Sequence, residues 1–313
     1  MEIRHYSGAD FKPMLDVANR LEKYGQTMTE EDLRARLRER HFTPGRDILL
    51  VADGGTLRGY LTVFPNPGNL NRHYIFFRLD PGLADDTALL DELLVRAQAR
   101  IHEIATGYQG PLLMRAGCYD NDREYKEALE RNGFSFNRYY ARMDLNDISN
   151  LQQPGLPPGV SIRLFHPPDE DEKYMVALNQ SFTGHFEHRE IDLDEFRSMK
   201  DKPFFQPDLM FAAVADGEFI GVSWNYMMSG PEADGLLWGV VEDLGVVPAW
   251  RGKGLGRALI SAGMLALRAK GAQKICLWVD YTNPHGAKQL YYSEGYVDKY
   301  IEISYQKDEE EVL

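Results

Sequence analysis

The sequence predicts an α/β (α+β) chain of two tandem units, and three observations carry that expectation. The same order of elements occurs twice, on either side of a stretch rich in proline and glycine, "NLQQPGLPPGV". Each half contains a tight hairpin turn, Gly54-Gly55 in the first and Asp216-Gly217 in the second, of the kind that joins twisted antiparallel strands. Each hairpin then feeds a strand–turn–helix–strand core. The stretch reads as a linker over residues 150–159, dividing residues 1–149 from residues 160–313.

At 313 residues the chain suits two domains of ordinary size, and 43% hydrophobic with 27% charged content is that of a globular protein with real cores. The net charge of −13 argues against nucleic acid as a partner, because counterion release needs a basic surface. It biases an open cleft towards cationic or neutral substrates. The two cysteines, Cys118 and Cys276, sit in apolar runs without metal-ligand spacing, as buried thiols in a reducing compartment would. The start, "MEIRHYSGAD", lacks a signal-peptide core, and no stretch reaches the ~20 apolar residues of a membrane span. A cytoplasmic protein without a membrane partner is expected.

In the first half a strand near Ile3 leads to helices over about 9–23 and 29–40, the second opened by Thr29 with Asp32 three residues on, a capping pair. Strands "DILLVAD" and "RGYLTVF" flank the hairpin turn, and "HYIFFRLD" precedes a helix from Asp85 to about Thr106. Strand "PLLMRAG", a helix ending on Gly133, and strand "FNRYYARMDL" complete the unit. The second half repeats the order. Strand "VSIRLF", helices near 169–182 and 192–199, strands "LMFAAVAD" and "EFIGVSWNYM", and strand "GLLWGVVEDLGVV" lead to a glycine-rich turn. Helix 254–270, strand "KICLWVD", helix "HGAKQLYYSEG" and strand "YVDKYIEISYQ" follow, and the tail "KDEEEVL" reads as a solvated end.

The turn "RGKGLGR" interleaves Arg251, Lys253 and Arg257 with Gly252, Gly254 and Gly256. Glycine-rich turns that open helices bind anions, since backbone N–H groups and the helix N-terminus face the ligand. An ATP-type loop needs Ser or Thr after Gly-Lys, and Gly254 stands there. The dinucleotide pattern G-x-G-x-x-G is missed because residue 257 is Arg, although Asp280 closes the next strand as a ribose-binding acid would. A nicotinamide-dependent oxidoreductase therefore stays as a weaker alternative.

The third pattern, Arg-x-x-Gly-x-Gly, fits with Arg251, Gly254 and Gly256 in register. With "LGVVPAWRGKGLGRALI" and, downstream, "NPHGAKQLYYSEGY", the sequence resembles the GNAT superfamily of acyl-CoA-dependent N-acetyltransferases, over roughly residues 160–306. Asn283, Ala287, Tyr291, Gly295 and Tyr296 stand at the second motif, with one extra residue between Asn283 and Ala287. The resemblance implies two tandem GNAT-like domains, each a mixed, mostly antiparallel twisted sheet flanked by helices. It implies acetyl-CoA as co-substrate and an amine acceptor, expected to be a primary amine on a small molecule. Where the second half has its basic glycine turn, the first has "RLDPGLADDTALL" with Asp85 and Asp86, which would repel a pyrophosphate. Leu129 stands before Gly133 as Tyr291 does before Gly295. The first domain reads as a degenerate copy and the second as the catalytic one.

The resemblance makes Arg251, Gly252, Lys253, Gly254, Leu255, Gly256 and Arg257 the phosphate cradle, with Asn283 beside it. Leu244, Gly245 and Val246 would hold the pantetheine arm by backbone groups, a backbone N–H near Val246 polarising the thioester carbonyl. Tyr291 would protonate the leaving thiolate. An amine that is protonated at neutral pH also needs a base. Strict alternation puts Leu236, Trp238, Val240, Glu242, Leu244 and Val246 on one strand face, with Glu242 the single acid among apolar neighbours that would raise its pKa. The family's acid commonly stands at the position of Val240. Asp243 is the alternative base, because a β-bulge would reverse the parity. A non-catalytic acyl-CoA-binding or sensing protein is the other reading. In "FTGHFEHREID", His185, Glu187, His188 and Glu190 lack the companion ligands of a metal site. The segment reads instead as a link bordering the acceptor, with His185 or Glu187 a further source of a base. No metal is expected.

Overall fold

The computed structural model describes residues 1–22, 28–66, 69–186, 188–232, 234–283 and 286–309. Lys23 at the expected end of the first helix, Glu187, His285 ahead of the last helix, and the tail beyond Glu309 lie outside the described residues. The chain divides into two compact units, residues 1–140 with the chain from Tyr300 on, and residues 141–299.

The first unit runs β1 (Glu2–His5), α1 (Phe11–Arg20), α2 (Glu30–Leu37), α3 (Pro44–Asp47), β2 (Ile48–Asp53), β3 (Thr56–Asn66), β4 (Asn69–Leu79), α4 (Pro81–Ala84), α5 (Thr87–Ala105), β5 (Leu112–Tyr119) and α6 (Arg123–Arg131). Strand β6 (Ser135–Leu145) passes from this unit into the second. There follow β7 (Val160–Leu164), α7 (Asp171–Phe182), α8 (Leu193–Ser198), β8 (Phe211–Ala215), β9 (Glu218–Pro231), β10 (Leu237–Val246), α9 (Leu255–Ala269), β11 (Lys274–Asp280), α10 (Ala287–Ser293) and β12 (Val297–Glu309). The short helices α3 and α4, each opened by a proline at its first position, were not expected from periodicity.

In the first unit the sheet order is β1–β2–β3–β4–β5–β12, antiparallel except for the parallel pair β4–β5. The sequence reading assigned the last strand to the second domain. From Tyr300 on, β12 instead lies in the first unit, antiparallel to β5 from Glu302↔Tyr119 to Glu309↔Leu112. Burial explains this: Ile303 and Tyr305 join the core that α5 makes with Leu112 and Met114. Helix α5 repeats apolar residues at Leu90, Leu94, Ala97 and Ile101, a single stripe, all buried in that core. The expected capping pair opens α2, with Thr29 Oγ1 accepting from Asp32 N at 3.1 Å and the Asp32 carboxylate accepting from Thr29 N at 2.9 Å.

In the second unit the order is β6–β11–β10–β9–β8–β7, with β10–β11 its parallel pair. Helices α7 and α8 bury an aromatic cluster of Phe165, Tyr174, Phe196, Phe205 and Trp224. Helix α9 covers the other face, where Leu255 and Leu259 pack with Ala213, Ile220 and Val247. Adjacent β9 residues divide accordingly: Trp224 joins the aromatic cluster, and Asn225 abuts Gly263 of α9, where an added Cβ would lie 2.5 Å from Asn225 Oδ1.

Arg142 of β6 is fully buried. Its Nε donates to Asp144 at 2.8 Å, and Nη1 and Nη2 donate to the two Glu232 oxygens at 3.1 Å each. The guanidinium also lies over Trp238 and Trp278, 4.8 and 5.5 Å from their ring centroids. Removing one partner of such a network strands the others. Arg142→Ala should lower unfolding free energy by about 3–5 kcal/mol, read from urea denaturation. A loss below 1 kcal/mol would mean that the two carboxylates reach water in the variant.

Candidate active site

Strands β10 and β11 pair at only three positions, Trp238↔Lys274, Gly239↔Ile275 and Val240↔Cys276. Beyond Val240 the two part, and residues 241–246 of β10 are laddered to β9 alone among the described residues. The parting leaves a length of strand edge open to an extended ligand.

The same length of β10 carries a register shift. Val241 pairs with Asn225 and Asp243 with Trp224, so Glu242 is the extra residue of a bulge. The strict alternation expected along this strand is therefore broken. An added Cβ at Gly239 would lie 2.9 Å from Leu267 of α9, yet one at Gly245 would lie 2.4 Å from Ser181 of α7. Residues an even number apart should share a face, and these do not. Leu244 and Val246 pack against the α9 side with Leu255 and Leu259. Val240, opposite Tyr226, and Asp243, opposite Trp224, lie on the side of α7 and α8. Gly245 is required on that face, because α7 passes too close for any side chain.

The two acids at the bulge differ. Glu242 is exposed on the surface, and desolvation at the strand mouth still raises its pKa above the ordinary carboxylate value. Burial, with the charge of Glu242 second, pushes Asp243 up to about 7. Two tyrosines feel the Asp243 charge from other elements, Tyr174 of α7 and Tyr291 of α10, and for both burial is the larger cause of a raised pKa. Tyr291 is 8% exposed, with its ring 5.9 Å from that of Tyr296. Asp243 thus lies within electrostatic reach of Tyr291. Glu242 is set apart at the bulge, near enough to Tyr226 to raise its pKa behind the larger effect of burial.

After β10 a 3-10 turn over Pro248–Trp250 leads into the basic turn. Gly252 and Gly254 have φ of +74° and +80°, the left-handed region where only glycine is unstrained, and Gly254 caps α9. The first helical bond runs from Ala258 N to Gly254 O at 3.2 Å, so the N–H groups of Leu255, Gly256 and Arg257 precede the intrahelical ladder. The three basic side chains are not equivalent. Arg251 holds the turn in place, its Nε donating to Val246 O at 3.1 Å and Nη2 to Ser181 O at 2.9 Å. Arg257 donates to Ser293 Oγ at 2.8 Å and pairs with Glu294 at 2.8 Å, tying α9 to α10. Lys253 is exposed, its Nζ 4.6 Å from the Trp250 ring centroid.

Asn283 reaches the link between α7 and α8, its Nδ2 lying 3.3 Å from His185 Nδ1. His185 packs on Phe182, ring centroids 4.8 Å apart. Among the described residues no group of three or more His, Cys, Asp or Glu is arranged to hold a metal. The residues that sequence reasoning missed are Tyr174 and Ser181. Both are buried on α7, with hydroxyls that have no hydrogen-bond partner among the described residues. Their spacing of two helical turns was the available signal, and it reads equally well as ordinary core.

The first unit presents the equivalent positions differently. Gly59 pairs with Leu79 there as Gly221 pairs with Val246 in the second unit. Counted back from that match, Phe76 stands where Asp243 does and Arg78 where Gly245 does. Arg78 donates to Glu22 at 3.3 Å and bonds the Tyr119 hydroxyl. The N-terminus of α5, where the second unit has its glycine turn, is capped by its own Asp86, which accepts from Leu89 N at 3.0 Å.

A parallel pair that parts at a bulge, with a glycine turn opening the next helix, places the second unit in a definite class. Residues 206–298 match the family model described as an acetyltransferase (GNAT) domain. The chain carries a GNAT acetyltransferase domain, and the nicotinamide alternative falls with that finding. Among relatives, it is 34% identical over 178 residues to a mycothiol acetyltransferase of Thermobispora bispora, covering 56% of this chain and 60% of that protein. It is 26% identical over 291 residues to a mycothiol acetyltransferase of Streptomyces griseus, covering 91% and 87%. The match spans 53% of a third such relative, from Thermomonospora curvata, so several relatives are covered over little more than half their length. Solved structures share the fold: a GCN5-related N-acetyltransferase from Sphaerobacter thermophilus (TM-score 0.78, 20% identity, 98% of this chain and 95% of that one). A tandem GNAT protein from the clavulanic acid biosynthesis pathway is also similar (TM-score 0.68, 16% identity, 98% of each chain).

A carboxyl whose folded pKa lies above its unfolded value is stabilising in neither form; its penalty begins above the unfolded pKa and is complete above the folded one. For Asp243 that window runs from the ordinary carboxylate range to about 7. Asp243→Asn should therefore melt several degrees higher than the parent at pH 8.5, with the gap narrowing towards pH 5. A gap independent of pH would show that the carboxyl is not ionising at a desolvated position.

Proposed function

We propose that the second unit transfers the acetyl group of acetyl-CoA to a primary amine and that the first unit is a degenerate copy without that activity. The observation that supports the reading is the bulge: it turns Asp243 to the side of Trp224, within electrostatic reach of Tyr291, on the strand that leads towards the basic glycine turn. The pantetheine arm adds to the unladdered edge of β10 along Leu244, Gly245 and Val246. The pyrophosphate is cradled by backbone N–H groups from Gly252 to Arg257, with Lys253 free to approach it and Arg251 fixing the turn. Asn283 borders the acceptor through His185.

Asp243 takes a proton from the acceptor ammonium, and the neutral nitrogen attacks the thioester carbon. A backbone N–H near Val246 stabilises the developing oxyanion. The C–S bond breaks, Tyr291 gives its proton to the CoA thiolate, and the second N–H proton of the tetrahedral intermediate returns to the Tyr291 phenolate as the amide forms, while Asp243 releases its proton to solvent. A base with a pKa near the working pH is the efficient choice, which favours Asp243 over Glu242. Glu242, the acid expected from alternation, is the second candidate, because Val240 occupies the family's usual position. The same valine favours the reading of an acyl-CoA sensor without turnover. Acids around the α7–α8 link suit a cationic acceptor, and the relatives' name puts a mycothiol-type acceptor first in a screen. The buried thiols of Cys118 and Cys276 support a reducing, cytoplasmic setting.

The test is amine-dependent release of free CoA thiol, measured against a panel of amines. No release above background with any amine, with acetyl-CoA still bound, would favour the sensor reading. With chemistry rate-limiting, Asp243→Asn should lower turnover by about 10²–10⁴-fold and remove the acidic limb of the pH–rate profile, while Glu242→Gln should leave the limb in place. The reverse pattern returns the base to Glu242. Tyr291→Phe should lower turnover by about 10²-fold with acetyl-CoA affinity, from calorimetry, unchanged. Full activity in that variant would make Tyr291 a packing residue.

A further inference from the structure

Tyr174 is fully buried, and its hydroxyl has no hydrogen-bond partner among the described residues. Buried hydroxyls are nearly always partnered in native cores. The ring itself is well held, 4.6 Å from Phe165, 5.9 Å from Phe196 and 6.3 Å from Trp224, centroid to centroid. Phenylalanine would fill that space without the cost of a desolvated oxygen, so packing does not account for the hydroxyl. Trp224 is the cross-strand partner of Asp243, and Asp243 is the charged group acting on Tyr174. The groups that titrate and face Asp243 are Glu242 on its own strand, Tyr174 from α7 and Tyr291 from α10. Its partner on β9 carries no charge. Burial keeps Tyr174 protonated well above neutral pH, so towards a carboxylate it acts only as a donor.

We infer that Tyr174 is a positioning residue for acetyl transfer: its hydroxyl donates through one water to the ionised Asp243 carboxylate and holds the base in place. The inference rests on the reading of Asp243 as the base. It gives α7 a task besides covering the sheet. The donor stabilises the charged form, offsetting part of the burial that disfavours it, and its bond to the protonated acid is the weaker one.

Tyr174→Phe in the full chain tests this. The Asp243 pKa is read without turnover from the ¹³C-carboxyl NMR titration of labelled aspartates, its resonance identified by loss in Asp243→Asn. The expected result is a rise of about one pH unit in Tyr174→Phe, a tenfold change in ionisation, with a melting temperature equal to or above the parent's. The acidic limb of amine-dependent thiol release should move by the same amount, with acetyl-CoA affinity unchanged. An unmoved titration overturns the inference, and with a lowered melting temperature it makes the hydroxyl structural. A moved titration with an unmoved rate profile keeps the hydrogen bond but overturns the positioning role, since the base is then elsewhere.

Discussion

Parallel strands β10 and β11 hold each other for three residue pairs and then part, and the rest of the second unit is arranged around that parting. A strand edge left unladdered inside a protein is costly unless something satisfies its N–H and C=O groups. Here the elements bordering the edge are the ones to which the proposed mechanism assigns chemistry. The bulge at Glu242 turns the strand so that Asp243 and Gly245 face α7. Arg251 spans from Val246 to Ser181, fixing the glycine turn to both the strand end and that helix. Arg257 joins α9 to α10 through Ser293 and Glu294, which sets the position of Tyr291. Two arginines of the basic turn are thus committed to geometry, leaving backbone N–H groups and Lys253 to meet an anion.

The first unit shows what the same frame becomes without those residues. Its parallel pair β4–β5 is also laddered over a limited length, from Arg72↔Leu113 to Ile75↔Ala116. No register shift occurs between Ile75 and Leu79, so no acid is turned towards the helices, and Phe76 stands at the corresponding place. Arg78 puts a large side chain where glycine lets α7 approach in the other unit, and its charge is answered by Glu22 rather than by a ligand. At α5 the Asp86 side chain satisfies a helix N-terminal donor internally, and a carboxylate there repels a phosphate as well as replacing it. Frame and chemistry are separable: the backbone order persists while each binding element has been filled from within.

Much of this was legible in the sequence because it depends on local rules. The hairpin turns, the capping pair at Thr29 and Asp32, the stripe on α5 and the glycines at positive φ each follow from a few neighbouring residues. The turn "RGKGLGR" and the segment around Tyr291 were recognisable because a tight turn and a helix end tolerate few alternatives. Three features were not legible. Alternation along "GLLWGVVEDLGVV" cannot reveal a bulge, since adjacent Glu242 and Asp243 fit the pattern in either parity. The commitment of Arg251 to Val246 and Ser181 depends on contacts 5 and 70 residues away. The placement of β12 beside β5 is decided by which core buries Ile303 and Tyr305, and no local pattern in "YVDKYIEISYQ" distinguishes one sheet from another.

Placing an acid at the bulge has consequences for the whole site. Two adjacent carboxyls in a chain of net charge −13 repel each other, and burial and that repulsion together keep Asp243 half-protonated near neutral pH. Such a group weakens the fold, and a stability-driven sequence would replace it with an amide. Its presence within electrostatic reach of Tyr291, whose own proton is held by burial, fits the proposed transfer, in which the site first accepts a proton and then gives one. The exposed Glu242 is the second cause of the raised Asp243 pKa, and under the proposed mechanism it keeps its neighbour basic and draws a cationic amine. The bulge therefore sets an exposed carboxyl beside a half-buried one at a single strand kink, and the proposed mechanism assigns the first to attraction and the second to proton acceptance.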